Sequence, residues 1–181
     1  LKRELIQAGA IYQSTSDTEV ILHLVARSRR NRFIDKFIDG LSQIEGAYSF
    51  VALTNKKMIG ARDPLGFRPL VLGMLDGHYI LASETCALDI IGARFIRDIE
   101  AGEIVIITDE GIESIKPFPA QATRPCVFEF IYFARPDSIV HGRPVYDARK
   151  AMGAELARAD KVEGDVVIPV PDSGVPAAIG Y

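Results

Sequence analysis

The sequence predicts an α+β domain of helices and antiparallel strands, followed by the start of an α/β domain with a parallel sheet. Three observations support this prediction. Apolar residues repeat at helical spacing through residues 17–44, which indicates two amphipathic helices. Strand-like segments then follow in pairs, and one pair is split by the turn signal Asp76-Gly77. The apolar, β-branched run at 166–170 is typical of a strand buried in a parallel sheet.

Capping and breaker residues predict where the helices begin and end. Ser16 and Glu19 have the S-x-x-E spacing of a capping box, which predicts a helix over about 17–29. A second helix is expected over 33–46, where a glycine ends it. A third is predicted over 145–159. Its inner face is expected to carry four apolar residues, which are Val145, Ala148, Met152 and Leu156.

The strand-like segments are expected to pair as antiparallel hairpins. They cover residues 47–54, 58–62, 69–75, 78–82, 103–108 and 112–118. A short helix is predicted among them at 86–91. After Pro117 the composition changes, because three prolines mark a linker-like stretch. The dense aromatic segment that follows, 128–133, fits a helix or an extended chain.

Both ends of the sequence indicate a piece of a longer protein. Leu1 is not an initiator methionine, and the helix-like residues 1–6 have no cap before them. At the other end, the strand at 166–170 leads into the turn cluster 171–174 and a helix start at 175–178. We therefore expect a domain that begins here and continues beyond Tyr181.

Composition and charge exclude several classes of protein. The 181 residues carry a formal net charge of −3 with both signs interspersed, so no surface for nucleic acid is expected. The one basic cluster, 27–32, is typical of a solvated helix end. No apolar run approaches the roughly 20 residues of a membrane-spanning helix. Two cysteines, Cys86 and Cys126, make no disulfide framework, so a reducing cytoplasm is the expected compartment.

Five segments together resemble one enzyme family. They are STSDTEV at 14–20, ARDPLGFRPL at 61–70, ASE at 82–84, FEFIYFARPDS at 128–138 and PVPDSG at 169–174. The first three are similar to class II glutamine amidotransferases in general. The last two resemble the amidophosphoribosyltransferases, the glutamine-dependent enzymes that open purine synthesis. The resemblance covers essentially the whole chain.

The resemblance implies a fold in two parts. Residues 1–120 would be the C-terminal part of a four-layer αββα glutaminase domain of the N-terminal-nucleophile type, with antiparallel sheets. Residues 121–163 would be an interdomain segment and helix. Residues 164–181 would start a type I phosphoribosyltransferase domain with a parallel sheet. The implied partners are glutamine and phosphoribosyl pyrophosphate, and a cytoplasmic homo-oligomer that binds neither nucleic acid nor membrane is expected.

The resemblance also implies a reaction. In the family, an N-terminal cysteine attacks the glutamine amide, its α-amino group acts as base, and an Asn-Gly pair supplies the oxyanion hole. The released ammonia displaces pyrophosphate from phosphoribosyl pyrophosphate and gives 5-phosphoribosylamine. Both cysteines of this chain are internal, so no catalytic residue is assigned here. The nucleophile is expected upstream of Leu1, and the chain alone is expected to be inactive.

Asp17 is the one glutaminase residue that the resemblance carries over. It matches the carboxylate that pairs with the α-amino group of bound glutamine, which is a charge-assisted hydrogen bond. Another interpretation is that Asp17 simply follows the Ser16 cap, where the helix dipole favours an acidic residue. The two roles are compatible.

Asp172, Ser173 and Gly174 match the family's loop that meets the pyrophosphate group of the sugar substrate through backbone N–H groups. Mg²⁺ is the implied cofactor, and Ser173 is the candidate for a hydroxyl contact to it or to its water. The alternative is an ordinary strand-to-helix turn with a capping serine. The position at the carboxyl end of a predicted strand favours the ligand-binding role.

Cys126 lies where some family members place the first ligand of a structural 4Fe–4S cluster. A cluster needs four ligands, and the other three would lie downstream. The alternative is a free cysteine that packs as a small apolar residue. The three histidines, His23, His78 and His141, show no metal-ligand spacing.

Charged residues of the other motifs are expected to hold the structure. For Arg62, Asp63 and Arg68, a buried Arg-Asp pair in a loop that fixes the glutaminase core is favoured over a ligand contact. Gly66 is expected to permit the turn there. Arg135 and Asp137 are predicted to fix one domain on the other. Two other functions stay open here. One is another class II amidotransferase, such as the glucosamine-phosphate or asparagine-forming enzymes, and the other is a non-catalytic module that has kept the fold.

Overall fold

The chain divides into two units, Leu1–Gly46 and Ala47–Tyr181. The computed structural model describes residues 1–160 and 162–181. Three helices form the first unit, and they are α1 (Lys2–Gln7), α2 (Glu19–Arg27) and α3 (Phe33–Leu41). Helices α2 and α3 pack closely at Gly40, because a Cβ there would lie 3.3 Å from Cγ2 of Val25. The two amphipathic helices predicted from the sequence are confirmed.

Both helices are shorter than predicted. Helix α2 ends at Arg27, and α3 ends at Leu41 instead of continuing to Gly46. The reason at α3 is local, because Ser42 Oγ and Gln43 Nε2 donate hydrogen bonds to the carbonyl of Asp39 at 2.8 and 2.9 Å. Side chains that bind the last carbonyls compete with a further helical turn.

Seven strands of the second unit form two antiparallel sheets. The strands are β1 (Ser49–Leu53), β2 (Met58–Arg62), β3 (Val71–Leu75), β4 (His78–Ala82), β5 (Arg94–Asp98), β6 (Ile104–Thr108) and β7 (Gly111–Ile115). The first sheet has the order β1-β2-β6-β7, and the second has the order β4-β3-β5. The predicted antiparallel core is therefore confirmed.

The β3–β4 hairpin has the turn that the sequence predicts. Asp76 and Gly77 have φ values of +49° and +82°, as a two-residue type I′ turn requires. Strand β5 was not predicted. Its five residues include three charged ones, and it pairs with β3 through a bulge between Leu72 and Gly73, so no regular alternation marks it.

The two sheets stack face to face around the main core of the second unit. Gly60 on β2 faces this core, where a Cβ would lie 2.7 Å from Leu81 Cδ1 and 3.0 Å from Val105 Cγ2. Only glycine leaves room for those two side chains. The buried residues of the core are Leu70, Leu72, Ile99 and Val105, with Tyr79, Leu81, Ile96, Ile107 and Ile112 packed against them.

The other face of the second sheet is covered by helix α4, Thr85–Ile90, close to the predicted position. Val71, Leu88 and Ala93 form its buried contact. Gly73 on β3 is required there, because a Cβ would lie 2.6 Å from Leu88 Cδ2.

The aromatic segment, for which helix and extended chain were both open, forms a π-helix, Glu129–Phe133. A short hairpin and a long helix follow, which are β8 (Ile139–Val140), β9 (Arg143–Pro144) and α5 (Val145–Ala159). Helix α5 has the predicted limits, but its inner face is partly different. Val145 and Ala148 are buried as expected, whereas Met152 and Leu156 are 39% and 57% exposed.

Helix α6, Val175–Gly180, explains this difference because it packs on α5 through glycine. A Cβ at Gly153 would collide with the carbonyl of Ala177, and one at Gly180 would collide with the carbonyl of Lys150. The backbones therefore touch, and glycine rather than Met152 occupies the contact.

The predicted buried strand at 166–170 is wrong for this chain. Val166, Ile168 and Val170 are 74%, 82% and 80% exposed, and no strand is formed there. A strand needs a neighbour to take up its backbone hydrogen bonds, and none of the described residues pairs with this segment. The helix start predicted at 175 is confirmed.

Helix α5 is 15 residues long. No helix in the described part of the chain combines the length and apolar character needed to cross a membrane.

Candidate functional site

Asp17 lies in the turn before α2, and its side chain is exposed. The hydroxyl of Thr18 lies 3.4 Å from Oδ1 of Asp17, and the Asp17 carbonyl accepts a hydrogen bond from the amide of Val20 at 3.2 Å. A carboxylate offers about four acceptor positions. Most of them therefore stay open to a ligand in this first unit.

Glu19 holds the loop in front of α2. Its Oε1 accepts a hydrogen bond from the Gln13 amide at 2.7 Å. Its Oε2 accepts two from Ser14, from the amide at 2.8 Å and from the hydroxyl at 2.6 Å. The predicted capping box is wrong, because Thr18 is the N-cap residue and Glu19 reaches past Ser16 to the earlier residues.

These hydrogen bonds lower the pKa of Glu19 from its ordinary 4.5 to about 2, mainly through the Ser14 hydroxyl and then the Gln13 amide. A carboxylate whose pKa is depressed on folding stabilises the fold fully above its unfolded pKa. The stabilisation is lost as the pH falls through the folded pKa. The attachment of the loop should therefore be complete above pH 4.5 and lost near pH 2.

An NMR titration of the Glu19 side-chain carboxyl carbon tests this expectation. We expect a midpoint near pH 2 in the unchanged chain. In Ser14→Ala, the midpoint should move towards 4.5, because the largest cause of the lowered pKa is removed. A midpoint near 4.5 in the unchanged chain would contradict the hydrogen-bonded arrangement.

An aromatic pair anchors the other side of the same loop. The rings of Tyr12 and His23 lie 4.4 Å apart, and the ammonium group of Lys2 lies 4.6 Å from the centre of the Tyr12 ring. His23 Nε2 lies 3.7 Å from Glu19 Oε1. Burial, and then the charge of Glu19, raises the pKa of Tyr12. The loop is thus attached to α1 and α2 at two points.

In the second unit, Arg62 and Asp63 are buried at the end of β2, but they bind backbone groups instead of each other. Arg62 donates to three carbonyls: Nε to Arg68 at 2.7 Å, Nη1 to Ile99 at 2.7 Å and Nη2 to Gly66 at 2.8 Å. Gly66 has φ of +61°, which fits the turn predicted for it.

Asp63 supplies the matching acceptors. Its Oδ1 accepts a hydrogen bond from the Leu65 amide at 2.9 Å, and Oδ2 accepts from the amides of Phe67 and Tyr48 at 3.1 and 3.3 Å. Burial, and then the charge of Asp63, raises the pKa of Tyr48. The side chains of Arg62 and Asp63 therefore shape the 63–68 loop, which is a structural role.

Glu84 and Thr85 hold the turn at 135–139. Glu84 Oε2 accepts hydrogen bonds from the Arg135 amide at 2.8 Å and from the Ser138 hydroxyl at 2.7 Å. Thr85 Oγ1 accepts one from the Ile139 amide at 2.8 Å. We call these contacts the Glu84 clamp. They attach the ASE segment to the ARPDS segment, two motifs that lie far apart in the sequence.

The side chains of Arg135 and Asp137 pair with each other. Arg135 Nε and Nη2 each lie 3.0 Å from an oxygen of Asp137, and both side chains are exposed. Each charged group stabilises the ionised form of the other, and the hydrogen bond from Arg135 lowers the pKa of Asp137. Their predicted role in joining two domains stays a prediction.

Buried charges support the π-helix from both ends. Arg68 Nε lies 2.7 Å from Oε1 of the buried Glu129, whose pKa is nevertheless raised, mainly by burial. Arg149 donates from Nε to the carbonyl of Phe130 at 2.8 Å and from Nη2 to that of Ala134 at 2.7 Å. Five apolar residues of this region are exposed, and they are Val127, Phe128, Ile131, Tyr132 and Phe133.

The two cysteines lie in different environments. Cys126 is half-buried, and its amide donates to the carbonyl of Phe67 at 3.0 Å. Cys86 is buried, and burial raises the pKa of its thiol. Among residues 1–160 and 162–181, no three side chains of His, Cys, Asp or Glu are grouped so that they could hold a metal ion. The two cysteines are fewer than the four ligands that a 4Fe–4S cluster needs.

Asp172, Ser173 and Gly174 lie together in the turn before α6, with Asp172 exposed and Ser173 half-buried. The amide of Gly174 donates a hydrogen bond to the backbone carbonyl of Val170 at 3.1 Å. The amide of Val175 donates one to the backbone carbonyl of Asp172 at 3.3 Å. Gly174 is the N-cap residue and no side chain caps the helix, so Ser173 is not the capping serine of the alternative interpretation.

A cavity of about 940 Å³ lies elsewhere in the second unit, between the 62–66 loop and residues 116–125. His141 lies in its wall, 3.5 Å from Arg62 Nη2, and burial followed by the Arg62 charge lowers the pKa of His141. Neither Cys126 nor the turn at 172–174 lines this cavity. The cavity therefore does not coincide with a site predicted from the sequence.

Sequence reasoning missed the roles of Glu19, Glu84 and Arg149. Glu19 was assigned to a capping box because its spacing fits one, although its partners lie five and six residues back. Glu84 and Arg149 bind groups 15 to 54 residues away, and spacing alone gives no signal of that kind.

Comparison with known proteins places these features in a family. Residues 1–89 match the model of a glutamine amidotransferase domain. The amidophosphoribosyltransferase of Rhizobium etli is 59% identical over 100% of this chain and 38% of its own length. That of Bacillus subtilis is 48% identical over 100% of this chain and 38% of its own length. A chloroplastic one from Glycine max is 49% identical over 96% of this chain and 31% of its own length.

A solved structure shows the same fold. The glutamine phosphoribosylpyrophosphate amidotransferase from B. subtilis, in complex with ADP and GMP, superposes with a TM-score of 0.94. It is 48% identical, and the match covers 99% of this chain and 40% of that one. The chain thus spans about two fifths of the length of the relatives it matches. With two antiparallel sheets and the motifs of a class II glutamine amidotransferase, the chain belongs to the amidophosphoribosyltransferase family.

Proposed function

We propose that this chain is part of an enzyme that hydrolyses glutamine and transfers the ammonia to phosphoribosyl pyrophosphate. The products would be 5-phosphoribosylamine, glutamate and pyrophosphate. The observation that carries the proposal is the 59% identity with the R. etli enzyme over the whole chain. A second related structure, with a TM-score of 0.94, is described as the allosteric regulatory enzyme of purine biosynthesis, which supports a role in that synthesis.

In this enzyme, Asp17 would bind the α-amino group of glutamine. Its carboxylate is exposed and has acceptor positions free, and a charged donor suits it best. Asp17 would orient the substrate and take no part in the bond changes. The attacking cysteine would come from elsewhere in the full-length protein.

The finer assignments of the second unit are also proposals. Residues 1–120 would belong to the glutaminase domain and 164–181 to the start of the phosphoribosyltransferase domain, with 121–163 between them. Asp172, Ser173 and Gly174 would meet the pyrophosphate group. Ser173 and Cys126 would each be at most one ligand of a metal site completed by other residues, for Mg²⁺ and a 4Fe–4S cluster respectively. A cytoplasmic homo-oligomer is the proposed state.

A chimera tests the proposed function. In it, the 181 residues replace the matching region of the R. etli relative, so that the rest of the enzyme is supplied. We expect the chimera to form phosphoribosylamine from phosphoribosyl pyrophosphate with either glutamine or ammonium as nitrogen source. A folded chimera that is inactive with both sources would overturn the proposal.

Asp17→Asn in the chimera tests the glutamine-binding role. The hydrogen bond between two charged groups would become one between a charged and a neutral group. We expect kcat/KM for glutamine to fall by about 10- to 150-fold, which corresponds to about 1.5–3 kcal/mol. The rate with ammonium should stay the same, because that route does not use the glutamine site.

Asp109→Asn is the matched control, since Asp109 is an exposed carboxylate in the β6–β7 turn. It should change neither rate. If Asp17→Asn lowered both rates equally in a folded protein, or lowered neither, the assignment of Asp17 would be wrong.

A further inference from the structure

The loop that carries Asp17 has little burial to hold it in place. Residues 13–18 are all exposed. An exposed polar loop gains almost nothing from the hydrophobic effect, so its shape depends on specific hydrogen bonds. For a binding residue on such a loop, the cost of ordering would be subtracted from the affinity.

Glu19 provides the hydrogen bonds that this loop needs. Its side chain is 12% exposed, and its two oxygens accept three hydrogen bonds from Gln13 and Ser14 at 2.6 to 2.8 Å. The hydroxyl of Ser14 in turn accepts one from the amide of Ser16 at 3.2 Å. A continuous series of hydrogen bonds therefore runs from Glu19 through Ser14 to the residue next to Asp17.

We propose that Glu19 is a positioning residue for the glutamine site, because its carboxylate fixes the loop that presents Asp17. This inference rests on the proposed function. Three bonds to an ionised acceptor are strong and directional, so they hold the loop before the substrate arrives. Binding then loses less conformational entropy, which appears as a lower KM for glutamine.

Glu19 does not act as a second ligand of the substrate. Both of its oxygens are occupied by donors of the loop, and His23 Nε2 lies 3.7 Å from Oε1 on the other side. Asp17, by contrast, lies two residues earlier in the sequence and is exposed to solvent. The two acidic residues of the STSDTEV segment thus divide the work, one binding the ligand and one holding the loop.

The test uses the chimera described above with Glu19→Gln, in which the amide nitrogen cannot accept the hydrogen bonds made by one carboxylate oxygen. We expect the KM for glutamine to rise about tenfold, equivalent to about 1.4 kcal/mol. The kcat at saturating glutamine and the rate with ammonium should not change. Ser14→Ala should raise the KM by a smaller factor, and Glu110→Gln, an exposed glutamate in the β6–β7 turn, should leave it unchanged.

The outcomes separate the two proposals. A raised KM for Asp17→Asn with an unchanged KM for Glu19→Gln would overturn the positioning role and leave the proposed function standing. Unchanged KM values for both would overturn the role of Asp17 as well. If Glu19→Gln does not fold, Ser14→Ala decides, because an unchanged KM in that variant would overturn the positioning role.

Discussion

Replacing Asp63 by alanine is expected to lower the free energy of unfolding by about 3–5 kcal/mol. The carboxylate is fully buried and accepts hydrogen bonds from the amides of Tyr48, Leu65 and Phe67. Alanine leaves these donors without an acceptor, and each unsatisfied buried group costs about 1–3 kcal/mol. Total stabilities are about 5–15 kcal/mol, so the variant would be close to the limit of folding.

Urea unfolding, followed through amide signals of the two sheets, measures this loss. Asp89→Ala, at an exposed aspartate on α4, is the control and should stay within about 0.5 kcal/mol of the unchanged chain. A loss below about 1 kcal/mol for Asp63→Ala would mean that water replaces the carboxylate, and the structural role given to it would be withdrawn.

Gly60→Leu is expected to cost about 3 kcal/mol, because it overfills the space between the two sheets. The first atom of any side chain would already lie 2.7 Å from Leu81 Cδ1 and 3.0 Å from Val105 Cγ2. Both neighbours belong to the core between the sheets, so neither can move without opening a gap elsewhere.

A double-mutant cycle identifies the cause of this loss. Gly60→Ala alone should cost about 1–2 kcal/mol, and clearly less when Leu81→Ala is also present, because the shortened side chain makes room. Gly164→Leu is the control, since Gly164 has only one neighbouring atom within 4 Å, at 3.8 Å. Equal costs for Gly60→Ala in both backgrounds would contradict steric overfilling.

Elements with a regular local pattern could be predicted from the sequence. Strands β2 and β4 and helix α5 have the predicted limits, because binary patterning and turn residues act over a few positions. Strand β5 was missed because it forms by pairing with β3, and its own residues show no regular alternation of apolar and polar side chains. The segment at 166–170 was predicted to be a buried strand because its composition fits one, yet it has no partner in this chain.

The candidate site shows the same limit. Asp17 could be singled out by its motif, and the structure places it in an exposed turn. The attachment of its loop could not be predicted, because the spacing of Ser16 and Glu19 favours a local cap. The hydrogen bond from Arg62 to the carbonyl of Ile99, 37 residues away, could not be predicted from a local pattern either. Side chains that bind backbone groups impose no residue type on their partners, so spacing does not reveal them.

The Glu84 clamp has a consequence for the order in which the chain acquires its structure during translation. Glu84 leaves the ribosome 54 residues before Ser138, its partner in the clamp. At about 5–20 residues per second, this delay is roughly 3 to 11 seconds. The residues of the β3–β4 hairpin and of α4 have all been synthesised by the end of that time, and hairpins form in microseconds. The Glu84 carboxylate is therefore made several seconds before its partners, and we expect it to stay solvated until the ARPDS segment emerges and completes the clamp.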